Sequence, residues 1–209
     1  MLIVEHFFLI ACDPNAGLLQ WPHATQDPAM LASAALLLGL AMHERIAIDG
    51  AKLRVDTQLP LSHPLLNDAL HVLHATQEQT VESSLRLLMH RLAPLPEQVL
   101  DGLYRRDLVH RIETRRWLFR KQVRYPLRSV QSRNEALDHL RAAARGDHED
   151  LHGLALLLLA DQTGLLALHL DAYDHERAIQ RLLDLGAREN QPTATHRIYA
   201  EVRNALLAL

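Results

Sequence analysis

Apolar residues recur along this chain at helical spacing, and Pro, Gly and Asp cut the pattern into segments. The first run predicts a helix over roughly 2 to 12, ended by Asp13-Pro14-Asn15-Ala16-Gly17 and followed by a polar loop carrying Trp21. Asp27 then caps a second helix with Pro28 in its first turn, and Met30 to Met42 is apolar nearly all round, the mark of a core helix that ends near Glu44. Residues 45 to 55 read as two short strands around Asp49-Gly50. Ser62 and Pro64 open a third helix with Leu65, Leu66, Leu70 and Leu73 on one face, and Thr80 opens a fourth with Val81, Leu85, Leu88 and Leu92 inward. Pro96 starts a fifth, Glu97 to Asp107. A second hairpin is expected from Leu108–Ile112 and Trp117–Phe119 across Glu113–Arg116, closed by Tyr125-Pro126-Leu127. Helices over 132–145, 149–162, 165–171, 174–186 and 194–208 complete the chain, with Ser132, Asp174 and Thr193 or Thr195 as caps.

Composition agrees. About one residue in five of the 209 is Leu and only 4% are aromatic, which favours helix packing over a β-sandwich. With 48% hydrophobic residues, no repeat and no low-complexity linker, the expectation is one compact, mainly α domain: an apolar central bundle ringed by amphipathic helices, with two short β-hairpins. The apolar start carries Glu5 and His6 and lacks a basic leader, so it reads as a buried helix and not a signal peptide. The Leu-rich run from Leu151 to Leu170 is broken by Asp161, Gln162, Gly164 and His169, too short for a membrane span, and the expected location is cytoplasmic, at most peripheral to a membrane.

Enzyme signatures are weak. His148-Glu149-Asp150-Leu151-His152 matches the H-E-x-x-H zinc pattern, but it lies at a helix start, where acidic residues suit the macrodipole, and no G-x-x-H follows. With fourteen His in the chain, such a pair arises by chance, and His71 with His74 reads as solvent-facing. No dinucleotide, P-loop or nucleophile-elbow motif is present, and the lone Cys12 sits in an apolar run as an inert thiol. The reading is a non-enzymatic protein without metal or cofactor.

Charge changes the picture. All basic residues but Lys52 and Lys121 are arginines, and the total of −3 is unevenly spread: residues 105 to 133 hold ten basic residues against Asp107 and Glu113, a net +8, which leaves −11 elsewhere. Either this is a solvated surface, or Trp117 and Tyr125 interleave with the arginines as a cationic, amphipathic edge for phosphate. A helix followed by a basic hairpin also matches the outline of a winged helix, which keeps nucleic acid, or an acidic protein, as the alternative partner.

Taken in order, several blocks resemble the Golgi phosphoprotein 3 family. They are Phe7-Phe8-Leu9-Ile10-Ala11-Cys12 followed by Gly17; the 38–46 stretch with its Asp-Gly hairpin; Pro64 to Leu70; Leu100 to Val109; Phe119 with Arg124-Tyr125-Pro126-Leu127; and Leu154 to Asp161 with Gly164 to Leu166. The resemblance implies a peripheral membrane adaptor that binds phosphatidylinositol 4-phosphate and, in eukaryotic members, holds glycosyltransferases in the Golgi. It implies a headgroup pocket built from a Trp before the second helix, an Arg within that helix and an Arg-x-x-Arg pair ahead of the second hairpin. Here Trp21 lies about three positions early, Ser33 stands at the helix position, and Ala93 and Pro96 stand at the pair, with Arg91 nearby. A bacterial-type member with relaxed anionic-headgroup specificity is therefore expected. Its candidate lipid-headgroup residues are Trp21, Arg91, Arg105, Arg106, Arg115, Arg116, Arg120 and Arg124, and its partners extend to cytoplasmic tails of membrane proteins or a second copy of the chain.

Overall fold

A computed structural model describes residues 1–22, 27–76, 79–115, 121–146, 150–187 and 193–208. Its elements, in chain order, are α1 (Ile3–Ala11), α2 (Pro28–Met42), β1 (Ile46–Asp49), β2 (Lys52–Val55), α3 (Pro64–Ala75), α4 (Val81–Arg91), α5 (Leu95–Arg105), β3 (Ile112–Arg115), β4 (Lys121–Arg124), α6 (Val130–Arg145), α7 (Leu151–Asp161), α8 (Leu165–His169), α9 (Ala172–Ala187) and α10 (Ala194–Ala208). The fold is mainly α, with two separate antiparallel hairpins.

Three helices that the sequence makes predominantly apolar form the centre. All nine residues of α1 are buried, as are Met30 to Ala41 of α2 and Gly153 to Ala160 of α7. A helix without a polar face can only exist surrounded, and α2 is flanked by α1, α3, α4, α5, α7 and α10, while α6 packs on α1, α7 and α9. The outer helices bury one stripe each: Leu66, Leu70 and Leu73 in α3, and Val81, Leu85 and Leu88 in α4.

Local chemistry sets most helix starts. Asp27 accepts from the Ala29 amide, Thr80 from Ser83 and Asp150 from His152, as expected for N-caps. Three expected caps differ. His63, not Ser62, accepts from the Leu65 amide; Ser129 caps α6, so Ser132 is inside the helix; and Asp171 receives the Asp174 amide, because Asp174 is buried and holds Arg145 at 3.0 Å. For α10 the cap is Thr193, while Thr195 donates to the Ala41 carbonyl. Helix α5 begins at Leu95 and ends at Arg105, short of Asp107, whose φ of 60° lies in the left-handed region.

The first hairpin forms as expected around Asp49-Gly50, with Ile46 opposite Val55. The second is displaced from its expected place. Glu113 to Arg115, expected as the turn, belong to β3, which pairs with Lys121–Arg124; the expected strand at Trp117–Phe119 lies outside the described residues. Its register comes from a long-range clasp. The Tyr125 amide donates to Gly17 O at 2.7 Å, Leu127 to Pro14 O at 3.0 Å, and His110 to Pro126 O at 2.7 Å. Gly17 is obligatory there: its φ is 66°, and a β-carbon would run into the Tyr125 and Pro126 backbone.

Candidate functional site

Helix α1 carries one carboxylate into the core. Glu5 is 2% exposed, and a buried charge of this kind must be met by donors. It is: Oε2 receives the Leu2 amide at 2.9 Å as half of a capping box, and Oε1 receives His63 Nε2 at 3.1 Å and Arg106 Nη2 at 2.5 Å. These partners bring together the starts of α1 and α3 and the end of α5. Between α3 and α5 they floor an open groove of about 800 Å³, whose walls include Asp68, Asp101, Tyr104, Arg105 and Arg111. A second groove of about 540 Å³ shares Tyr104, Arg105 and Arg111 and adds His110, Ile112 and Arg128.

The arginines here are largely paired. Arg106 is held by Glu5, Arg128 by Asp107, and Arg111 lies 2.8 Å from Glu113 and 3.6 Å from Asp101. Tyr125 is the hub of that last contact. Its hydroxyl donates to Asp101 Oδ1 at 2.9 Å, its hydrogen bond with Arg111 pushes the guanidinium pKa up, and burial pushes its own phenol up. The interleaved cationic edge expected from the sequence is corrected here: Tyr125 is 6% exposed and packs inward, and Trp117 lies outside the described residues. Within the +8 segment Arg128 and Arg111 meet its own two acids, Asp107 and Glu113, and Arg106 and Arg111 reach Glu5 and Asp101 of the acidic remainder.

Arg105 is different. Among the described residues it forms no ion pair; its Nε donates only to the Asp101 carbonyl at 3.4 Å. It stands at the edge common to both grooves, beside the exposed rings and branches of Tyr104 and Ile112.

The other candidate residues are dispersed. Trp21 is half-buried, packed on Phe7 and Phe8 with ring centroids 5.5 and 6.3 Å away, so most of its surface serves the core. Arg91 is exposed at the end of α4, ahead of the first turn of α5, whereas Arg105 closes the last turn of that helix, and Arg91 lines neither groove. Arg115 and Arg124 sit on the paired strands, Arg124 half-buried with its Nε enclosed and lacking a partner among the described residues. Arg116 and Arg120 lie outside the described residues. Among the described residues, Arg105 and Arg106 are thus the two candidates that share a groove. Reading the sequence missed Glu5, His63 and Asp101 as their partners; the signal was present in Glu5, since a carboxylate inside an all-apolar helix requires cationic company.

The chain matches the family model described as Golgi phosphoprotein 3 (GPP34) over residues 3–207. It belongs to the Golgi phosphoprotein 3 family. No curated protein matches it significantly. In this family member the blocks that carry the resemblance meet in space: Gly17 and the Asp13 turn clasp the Arg-Tyr-Pro-Leu block, and Tyr125 of that block bonds Asp101 of the Leu100–Val109 block. At the positions where the resemblance expects arginines, Ser33 is fully enclosed with its hydroxyl on the Ala29 carbonyl, Ala93 is exposed and Pro96 half-buried in the first turn of α5. No helix among the described residues is long and apolar enough to cross a membrane, and no group of three His, Cys, Asp or Glu there is arranged to hold a metal ion. Of the H-E-x-x-H residues, His148 and Glu149 lie outside the described residues, and His152 Nε2 is engaged by His6 Nδ1 at 2.8 Å.

Proposed function

We propose that this family member is a non-enzymatic peripheral membrane adaptor that contacts anionic phospholipid headgroups at the Arg105 end of α5. The observation that carries the reading is Arg105 itself, a cation without an acidic partner among the described residues, at the junction of two open grooves and flanked by exposed Tyr104 and Ile112. The connection between β3 and β4 extends this character in sequence, reading Arg116-Trp117-Leu118-Phe119-Arg120 between Arg115 and Lys121. Arginine forks suit phosphate oxygens, and amphipathic neighbours suit the headgroup boundary. Ser33, Ala93 and Pro96 stand where the resemblance places the arginines whose forks share one phosphate in a phosphoinositide pocket, so the headgroup specificity is relaxed.

Co-sedimentation with vesicles tests this. Binding to vesicles containing anionic lipid exceeds binding to neutral vesicles at low salt, and Arg105→Ala lowers it about fivefold, the equivalent of ~1 kcal/mol per cation near an anionic surface. Equal binding to both vesicle types refutes the lipid reading.

A further inference from the structure

A second cluster, beside the groove and independent of the lipid reading, joins three helices through imidazoles. His6 of α1, His139 of α6 and His152 of α7 have ring centroids 4.9, 5.0 and 5.6 Å apart, and His6 Nδ1 lies 2.8 Å from His152 Nε2. That contact needs one N–H and one lone pair, so it cannot survive protonation of both rings. His6 is 5% exposed, and its other nitrogen, Nε2, is enclosed without a hydrogen-bond partner.

The charges around the rings are mostly positive. His6 faces His152, the chain's amino terminus, His139 and Arg106; His152 faces His139, the amino terminus and Asp150. Asp150 is the one carboxylate among these, and it already accepts from His139 Nδ1 at 2.7 Å and from the His152 amide at 3.0 Å. Glu5, next to His6 on α1, is taken by Arg106, His63 and the Leu2 amide. A charge placed on His6 therefore has no free counter-ion among the described residues.

We propose that the His6–His139–His152 cluster is an acid-released clasp: with His6 and His152 neutral, it fastens the first turn of α1 to α6 and α7; with both protonated, those two rings repel and open that junction. Opening also loosens the turn that carries Glu5, and with it the hold on Arg106. Burial and the surrounding cations depress both rings, His6 to about 3 and His152 to about 4. An opened ring takes up its proton near the ordinary value of about 6.5, so opening becomes easier as pH falls below that value. Each ring multiplies the opening constant by up to about tenfold per pH unit, two rings by up to about a hundredfold.

Hydrogen exchange of the α1 amides, normalised at each pH to the unfolded-chain rate, reads the opening constant between pH 7.5 and 4.5. The wild type is expected to steepen below pH 6.5, and His152→Gln to lose about tenfold per pH unit of that slope. An opening constant independent of pH, or an equal slope in both proteins, overturns the proposal. Should the variant not fold, histidine ring NMR of the wild type decides: His6 and His152 signals unmoved above pH 5 support the clasp, and midpoints near 6.5 for both overturn it.

Discussion

Replacing Glu5 by glutamine keeps the shape of the side chain and removes the charge that three donors share. The Leu2 amide, His63 Nε2 and Arg106 Nη2 all point at its carboxylate, and a glutamine offers one acceptor oxygen and one NH2, which turns a donor toward at least one of them. Hydrogen bonds to a charged group contribute about 1.5 to 3 kcal/mol each when buried, but the Arg106 side chain is 42% exposed and rehydrates, so its share falls to about 1 kcal/mol or less. The net loss works out at about 2 to 3 kcal/mol, or a fall in Tm of roughly 5 to 10 °C for a chain of this length. Urea unfolding followed by helical circular dichroism measures it. The same substitution frees Arg106 beside Arg105, and anionic-vesicle binding should rise about fivefold, since one more cation adds ~1 kcal/mol near the surface. Lower stability with tighter vesicle binding is the diagnostic pair. A stability change below about 0.5 kcal/mol, which surface substitutions produce, would refute the buried-carboxylate argument; a drop in vesicle binding would refute the link between Arg106 pairing and the surface.

Gly17→Ala combines a left-handed backbone with a β-carbon against the Pro126 backbone, which has no flexible end to move, and should destabilise the protein by about 2 to 4 kcal/mol in chemical denaturation; an unchanged midpoint would show that the clasp does not need glycine. Cys12 is 3% exposed, its thiol donates to the Tyr125 carbonyl, and burial pushes its pKa up to about 11, so at pH 8 a thiol reagent should label the native protein at least a hundredfold more slowly than the unfolded chain. Tyr199 is likewise pushed up by burial. Both groups favour their neutral forms in the fold, so their contribution is full below the unfolded values of about 9 and 10 and declines as pH rises through and beyond them; urea midpoints should fall from about pH 9 upward, and Cys12→Ala should delay the onset.

How much of this was legible depended on distance along the chain. The buried helices α1, α2 and α7 were readable because a predominantly apolar run states its own burial, and the first hairpin because Asp49-Gly50 specifies its turn locally. The second hairpin was misplaced because its strands are short and polar, and their register follows from Gly17 and Pro14 meeting Tyr125 and Leu127 more than a hundred residues later. The caps at His63 and Asp171 escaped for a smaller reason: several polar residues stood within one turn of each start, and packing chose among them.

The candidate site was legible as a list of charges and illegible as an arrangement. Sequence alone determined the helical bundle, the family resemblance and the presence of a dense arginine segment, because propensity, periodicity and composition are properties of neighbouring residues. Only the tertiary structure decided that Arg106, Arg111 and Arg128 are paired while Arg105 lacks an acidic partner among the described residues, and that His6 meets His152 from 146 positions away. The physical reason is that ion pairs and imidazole contacts fall off over a few ångströms in space, and the sequence separation of Glu5 from Arg106 carries no information about that distance.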